Sequence, residues 1–163
     1  MALLAAGGLG ACGFEPVYGR LDDDGALAAE LRAISLPDAV DRISFEFRSA
    51  LADQLSPTRR RDVPRYALSY QLTRYVQDLA VQLDATVTRK DLVLIVVYQM
   101  VDLAENRVVD RGQIQRLASF NISGEPFGDQ VAEEDAERRA AGAAAVAVRQ
   151  LLVAHFRRRA AAT

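Results

Sequence analysis

The clearest signal along this chain is alternation. From Tyr66, apolar side chains fall on every second residue: Tyr66, Leu68, Tyr70 and Leu72 on one side, Ser69, Gln71 and Thr73 on the other. A period of two places the two sets on opposite faces of a strand. The pattern extends, less cleanly, to about Leu83. Residues 92–101 are apolar at nearly every position, which predicts a strand covered on both faces and therefore central in its sheet. Glu105 and Asn106 mark a hairpin turn. Residues 107–120 predict a third long strand, with Arg111, Gln113 and Gln115 on its outer face and Gly112 as a candidate bulge. Residues 84–90 read as a turn region, although Thr86, Val87 and Thr88 could pair as strand.

Elsewhere the period lengthens. Val40, Ile43, Phe47, Ala50, Leu51 and Leu55 recur at helical spacing, with Asp38 or Asp41 available to cap the helix and Ser56-Pro57 to end it. A second helix is predicted from about 129 to 158. Glu133, Glu134, Asp135 and Glu137 crowd its first turns and Arg157-Arg158-Arg159 its last, and both placements suit the helix dipole. Its alanine-rich middle favours helix and a close approach to a sheet. Val131, Val148, Leu151, Leu152 and Phe156 are expected to grip the sheet, and Gly142 is a candidate kink.

A short strand over 31–36, stopped by Pro37, precedes these elements. The order is strand, helix, three antiparallel strands, helix. Two amphipathic helices need somewhere to bury their stripes, and one face of a four-stranded sheet is available. The expected fold is therefore α+β: a two-layer sandwich with two helices packed on a four-stranded, mostly antiparallel sheet. Residues 12–30, punctuated by Pro16, Gly19, Gly25 and the run Asp22-Asp23-Asp24, read as a tether. The folded domain is expected over 31–163.

Composition narrows the chemistry. The 20 basic and 22 acidic side chains nearly balance, which argues against a nucleic-acid partner bound by bulk charge. A single cysteine excludes an internal disulfide, and the single histidine, His155, excludes a histidine-rich metal site. No metal or cofactor is expected. The chain carries no Gly-x-Ser-x-Gly, no P-loop and no Gly-x-Gly-x-x-Gly opening a helix. The acidic cluster at the start of the last helix is expected to be exposed, which does not separate two carboxyl pKa values as acid–base catalysis requires. His155, among arginines near the C-terminus, is expected to be a surface or half-buried helix residue. The chain is therefore expected not to be an enzyme.

Two features remain. Arg59-Arg60-Arg61 and Arg89-Lys90 are basic clusters in expected loops, and Lys90 is the only lysine. They read either as solvated loops or as contacts to an anionic head group or acidic surface. At the other end, residues 1–11 are apolar, uncharged and rich in small residues. Gly7, Gly8 and Gly10 make a poor helix interior, whereas the apolar part of a signal peptide tolerates them. No Lys or Arg precedes the run. It ends in Leu9-Gly10-Ala11-Cys12, which is similar to the bacterial lipobox. In that pathway the cysteine thiol receives a diacylglycerol and the chain is cut just before it. Residues 1–11 are then a lipoprotein signal peptide, Cys12 the lipidation site, and several acyl chains a stable anchor. A buried structural cysteine is the alternative. Gly13, where many inner-membrane lipoproteins have Asp, favours the outer membrane.

The stretch Leu9-Gly10-Ala11-Cys12-Gly13-Phe14-Glu15-Pro16-Val17-Tyr18-Gly19 resembles the start of the LptE family of lipopolysaccharide-assembly lipoproteins, its alphaproteobacterial members most closely. There a lipobox Cys is followed by Gly-Phe, a Pro and a Tyr-Gly pair. The element order over 31–158 is also similar to that family's sandwich. The resemblance implies a lipid-anchored protein at the periplasmic face of the outer membrane of a Gram-negative bacterium. It implies a partner, the LptD-type β-barrel, whose lumen this chain would plug and whose assembly it would help. It implies a role in delivering lipopolysaccharide to the cell surface, with no covalent chemistry. Lipopolysaccharide would meet basic residues in loops at one end, for which Arg89 and Lys90 are the matching positions. A barrel lumen is polar, and the strand face with Gln71, Thr73, Arg111, Gln113 and Gln115 suits one, as it would suit plain solvent. The competing reading is an auxiliary lipoprotein of an ABC-type lipid transport system in the periplasm, which would carry an exposed apolar groove.

Overall fold

The computed structural model describes residues 21–57, 62–81 and 87–162. Regular structure begins earlier than the sequence pattern suggests. Helix α1 spans Leu21–Arg32, where a tether was expected up to residue 30. The physical reason is positional. Leu27 and Leu31 lie one helical turn apart against the core. The predicted strand over 31–36 shrinks accordingly to β1, Ile34–Ser35. Pro37 ends it, because proline supplies no N–H to a ladder.

Helix α2 spans Arg42–Leu55. Asp41 is its N-cap. The Asp41 side chain accepts from the Ser44 backbone N–H at 2.8 Å, and Ser44 Oγ accepts from the Asp41 N–H at 3.0 Å. Ile43, Phe47, Leu51 and Leu55 are buried, as their spacing predicts, while Val40 precedes the helix and is exposed. Three long antiparallel strands follow: β2 at Tyr66–Val81, β3 at Val87–Asp102 and β4 at Arg107–Asn121. Their turn at 103–106 places Asn106 at φ 49, a left-handed conformation that Asn tolerates. Helix α3 runs unbroken through Gly142 over Pro126–Ala161. Proline at the first helical position is pre-organised for a helix start.

The sheet order is β1-β2-β3-β4, with β1 parallel to β2 and the rest antiparallel. β3 is thus interior, as its apolar run requires. The helices cover one face of the four-stranded sheet, and the fold is the α+β sandwich expected, with α1 added. Leu92, Leu94, Val96, Tyr98 and Met100 of β3 are all buried in that interface. From α3 the buried set includes Ala136, Ala140, Ala144, Val148, Leu152 and Phe156, at steps of four. The small alanines let the helix lie close, and the larger residues anchor its second half. Val131 and Leu151, expected to grip the sheet, are exposed instead. They fall off the buried face set by the steps of four.

The irregularity in β4 is not at Gly112. The register shifts where Met100 pairs with Asp110 and Val101 with Val108, leaving Val109 as the extra residue. Gly112 has a different role: a Cβ there would meet the Tyr98 ring at 2.8 Å.

Candidate functional site

Cys12 and the signal segment lie outside the described residues, as do Arg59, Arg60 and Arg61. Arg89 and Lys90 are described, and they are not in a turn. Both belong to β3 and pair with β4 on one side and β2 on the other: Arg89 with Asn121 and Ala80, Lys90 with Phe120 and Asp78. Consecutive strand residues point to opposite faces, so the two cations do not converge. Arg89 is exposed. Lys90 Nζ lies 3.6 Å from Asp78 Oδ1. The turn expectation fails at Arg89 and Lys90 because the hairpin is longer than its apolar pattern, while the strand pairing left open for this stretch is present at Val87 and Thr88.

The helical side of the sheet carries most of the ionic organisation. Glu137 was expected on an exposed helix start, but it is 3 % exposed. Its carboxylate accepts from Arg42 Nη2, at the start of α2, and lies 3.1 Å from Arg74 Nε of β2. Arg74 Nη1 also reaches Glu133 at 2.9 Å, and Arg42 Nη1 lies 3.8 Å from Glu134. The cluster ties both helices to the sheet through alternating charges. Helical periodicity carries the missed signal: Glu137 is one residue from Ala136 and three from Ala140, on the buried stripe.

A second polar chain joins the other end of the sandwich. Tyr98 OH donates to Asp110 Oδ2 at 3.2 Å, and Asp110 Oδ1 lies 3.6 Å from His155 Nδ1. Burial, followed by the Asp110 charge and the hydrogen bond to it, raises the Tyr98 phenol far above the ordinary tyrosine range. His155 Nε2 is buried without a hydrogen-bond partner. It adjoins a cleft of about 250 Å³ that Asp102, Arg107 and Arg159 also line. The tyrosine–carboxylate–imidazole order superficially suits proton transfer. However, the Tyr98 hydroxyl that would give or take the proton is buried against Gly112.

A wider cleft of about 500 Å³ lies between β1 and α2. Because β1 is two residues long and α2 fourteen, the flank of α2 outruns the strand beside it. Leu31, Ile34, Leu36 and Leu55 floor the cleft, and Phe45, 60 % exposed, walls it. Arg32 and Arg48 are held at its rim by Asp62 and by the Pro37 carbonyl, at 2.9 and 2.7 Å. Among the described residues no group of His, Cys, Asp or Glu has the arrangement of a metal site, and no helix is long and apolar enough to cross a membrane.

The open face of the sheet is the third surface. Its centre is β3, where Val97 is exposed, Ile95 is half-buried and Val93 is buried. Gln71 and Thr73 of β2 flank it on one side, Arg111, Gln113 and Gln115 of β4 on the other. The polar strand face expected from sequence is present, and it has an apolar centre.

The fold is shared with known structures. A lipoprotein of Caulobacter crescentus, described as putative, matches with TM-score 0.66 and 22 % identity over 82 % of this chain and 97 % of that one. A minor lipoprotein of Acinetobacter baumannii matches with TM-score 0.57 and 19 % identity over 76 % and 90 %. An uncharacterized lipoprotein B of Nitrosomonas europaea matches with TM-score 0.52 and 16 % identity over 76 % and 81 %. At these identities the likeness is one of fold. No family model matches the chain, and no curated protein sequence matches it.

Proposed function

We propose that this chain is a lipid-anchored envelope protein that serves as the lipoprotein subunit of an outer-membrane lipopolysaccharide translocon, seated in the lumen of an LptD-type β-barrel and helping it assemble. One conjunction carries the reading. A lipobox-like Leu9-Gly10-Ala11-Cys12 stands directly before a sandwich whose fold recurs in three proteins described as lipoproteins. The finer assignment, to the barrel and to lipopolysaccharide, rests on the resemblance of residues 9–19 to the LptE family and on the polar rim of the open sheet face. The role is binding and assembly, not catalysis. In this reading Arg89 and Lys90 meet lipid phosphates from opposite sides of the hairpin they share.

The cleft between β1 and α2 favours a second reading, an auxiliary lipoprotein of an ABC-type lipid transport system, because its floor is apolar and open. One experiment separates the two. The protein is purified from membranes of its native host in mild detergent through a C-terminal tag, and the co-purifying proteins and the N-terminal peptide are weighed. The translocon reading expects a large outer-membrane β-barrel at near-equal amount and a triacylated Cys12. An inner-membrane transporter in its place selects the second reading. An unmodified Cys12 on a chain free of any membrane protein removes both.

A further inference from the structure

β4 is an edge strand of 15 residues. In an antiparallel pair, alternate residues turn their N–H and C=O away from the neighbouring strand. Two arginines mark which residues of β4 do so. Arg139 Nη2 donates to the Ser119 carbonyl at 3.0 Å, and Arg116 Nη1 donates to the Gln115 carbonyl at 2.8 Å. Both carbonyls therefore point off the sheet, and Arg111 and Gln113 share their parity. The arginines cover the far end of this edge, and the extra residue Val109 interrupts the near end. Between them, the outward groups of Arg111 and Gln113 have no backbone partner among the described residues. Such an edge is a template for another strand. The helical layer continues the opening. Just after the sheet-facing Val148 of α3 comes Arg149, which turns toward α2 and donates to the Gln54 carbonyl at 3.1 Å. Residues just before the sheet-facing row lie about 100° the other way, on the β4 side. Leu151, next to buried Leu152, is one of these, and it is 38 % exposed.

We propose that the β4 edge pairs antiparallel with β4 of a second copy of this chain, about a two-fold axis through Gln113, so that the two sheets become one. The inference goes beyond the translocon reading and stands without it. Register and charge select the occupant. With the axis at Gln113, outward residues meet outward residues: Gln113 faces Gln113, and Arg111 faces Gln115 of the second copy. On the helical side, Asp110 then faces Arg116, and the symmetry supplies that pair twice. An axis at Gly112 sets Asp110 against Ile114, and one at Ile114 sets it against Ala118, so neither gives an ionic match. The existing bonds suit the exchange. The Gln115 carbonyl takes the Arg111 N–H of the second copy, which releases Arg116 to reach Asp110. Asp110 is 15 % exposed, and its carboxylate has acceptor sites beyond those used by Tyr98 and His155. The Leu151 flanks of the two α3 helices close the contact on the helical side. Each layer spans roughly 23 Å by 10 Å, so together they give each side less than the ~800 Å² of a standard interface. The association is accordingly reversible and is best read in place.

The test uses the full-length chain in membranes of its native host, co-expressed with two different C-terminal tags. A photo-crosslinking residue replaces Gln113 or Gln115 at the edge, or Gln71 or Phe45 away from it. The expected result is a species of twice the chain's mass carrying both tags, at least tenfold stronger from Gln113 and Gln115 than from Gln71 and Phe45. Two variants keep the crosslinker at Gln115. Gln113→Pro removes an N–H that points off the sheet, a change an edge strand tolerates. It is expected to cut the doubled species at least tenfold with an unchanged thermal midpoint. Arg116→Glu sets carboxylates against both copies of Asp110 and is expected to cut it at least threefold, whereas Arg116→Lys retains it. A doubled species that forms equally from Gln71 or Phe45, or that survives Gln113→Pro in full, overturns the edge as the contact. Crosslinks from Gln113 and Gln115 to a different protein alone overturn the second copy as the partner. The absence of any crosslink from the edge ends the inference, and in each case the translocon reading keeps its own test in the co-purifying barrel.

Discussion

The Tyr98 ring lies against the backbone of Gly112, directly across the β3–β4 ladder, so closely that a methyl group on Gly112 would stand 2.8 Å from Cε1 and 2.9 Å from the hydroxyl oxygen. Tyr98 is 3 % exposed and its hydroxyl is tethered to Asp110, so the ring has little room to withdraw. Gly112→Ala is therefore expected to destabilise the fold by about 1–3 kcal/mol, the usual cost of overpacking. Gly112→Ala combined with Tyr98→Leu should recover part of that loss. Urea midpoints of the three variants check this, and a Gly112→Ala variant as stable as the parent would refute the steric account.

Tyr98 also makes the fold sensitive to alkali. Its folded pKa is raised, by burial first and then by Asp110, so the neutral phenol is the form the fold holds. That contribution is complete below the unfolded tyrosine pKa of about 10 and is lost as pH rises beyond it. Denaturation midpoints between pH 8 and 11 should fall more steeply for the parent than for Tyr98→Phe. The variant keeps some slope, because burial also raises Tyr66 and Tyr70. Equal slopes would mean that the Tyr98 hydroxyl is not held as described.

Asp41 supplies the opposite sign. Its pKa is lowered, chiefly by the hydrogen bond with the Ser44 side chain and next by the Ser44 backbone N–H. Its capping contribution is thus present above the unfolded carboxyl value of about 3.9 and is lost as pH falls through the depressed folded value. At neutral pH Asp41→Ala should cost about 1 kcal/mol. The gap between parent and variant should close in acid. A gap independent of pH down to 2 would show that the charged carboxylate is not the capping group.

Glu137 is expected to be the most sensitive carboxylate on α3. Removing it leaves Arg42 and Arg74, both a little under half exposed, facing each other across its place. Because those arginines reach water and keep Glu134 and Glu133, the loss for Glu137→Ala should be about 2–3 kcal/mol, below that of a fully buried broken pair. Glu133→Ala should cost less than 1 kcal/mol, as an exposed pair does. Thermal unfolding of both variants checks the ranking, and equal losses would place Glu137 outside the buried interface.

The sequence by itself determined the local elements and their faces. Alternation from Tyr66 to Leu72 and the unbroken apolar run over 92–101 placed three strands and made β3 the interior one. Helical spacing of Ile43, Phe47, Leu51 and Leu55 placed α2, and of the two candidate caps, Asp38 and Asp41, the structure uses Asp41. These are short-range properties: a period of two or 3.6 needs only a chain and a core to face. Tertiary structure decided what depends on neighbours. Leu27 and Leu31 turn residues that read as a tether into helix α1, because α2 and α3 offer them a core. Arg89 and Lys90 become paired strand residues rather than a turn, because cross-strand hydrogen bonds extend the hairpin past its apolar pattern. Glu137 changes from an exposed acid to a buried one, because Arg42 and Arg74, far from it in sequence, converge on its site. Gly112, legible only as an irregularity, acquires its reason from a tyrosine on the adjacent strand. The open sheet face is the remaining case. Its residues were readable one by one as outward positions. That Gln71, Thr73, Gln113 and Gln115 flank Ile95 and Val97 on one surface follows from the register of β2, β3 and β4, which no single strand contains.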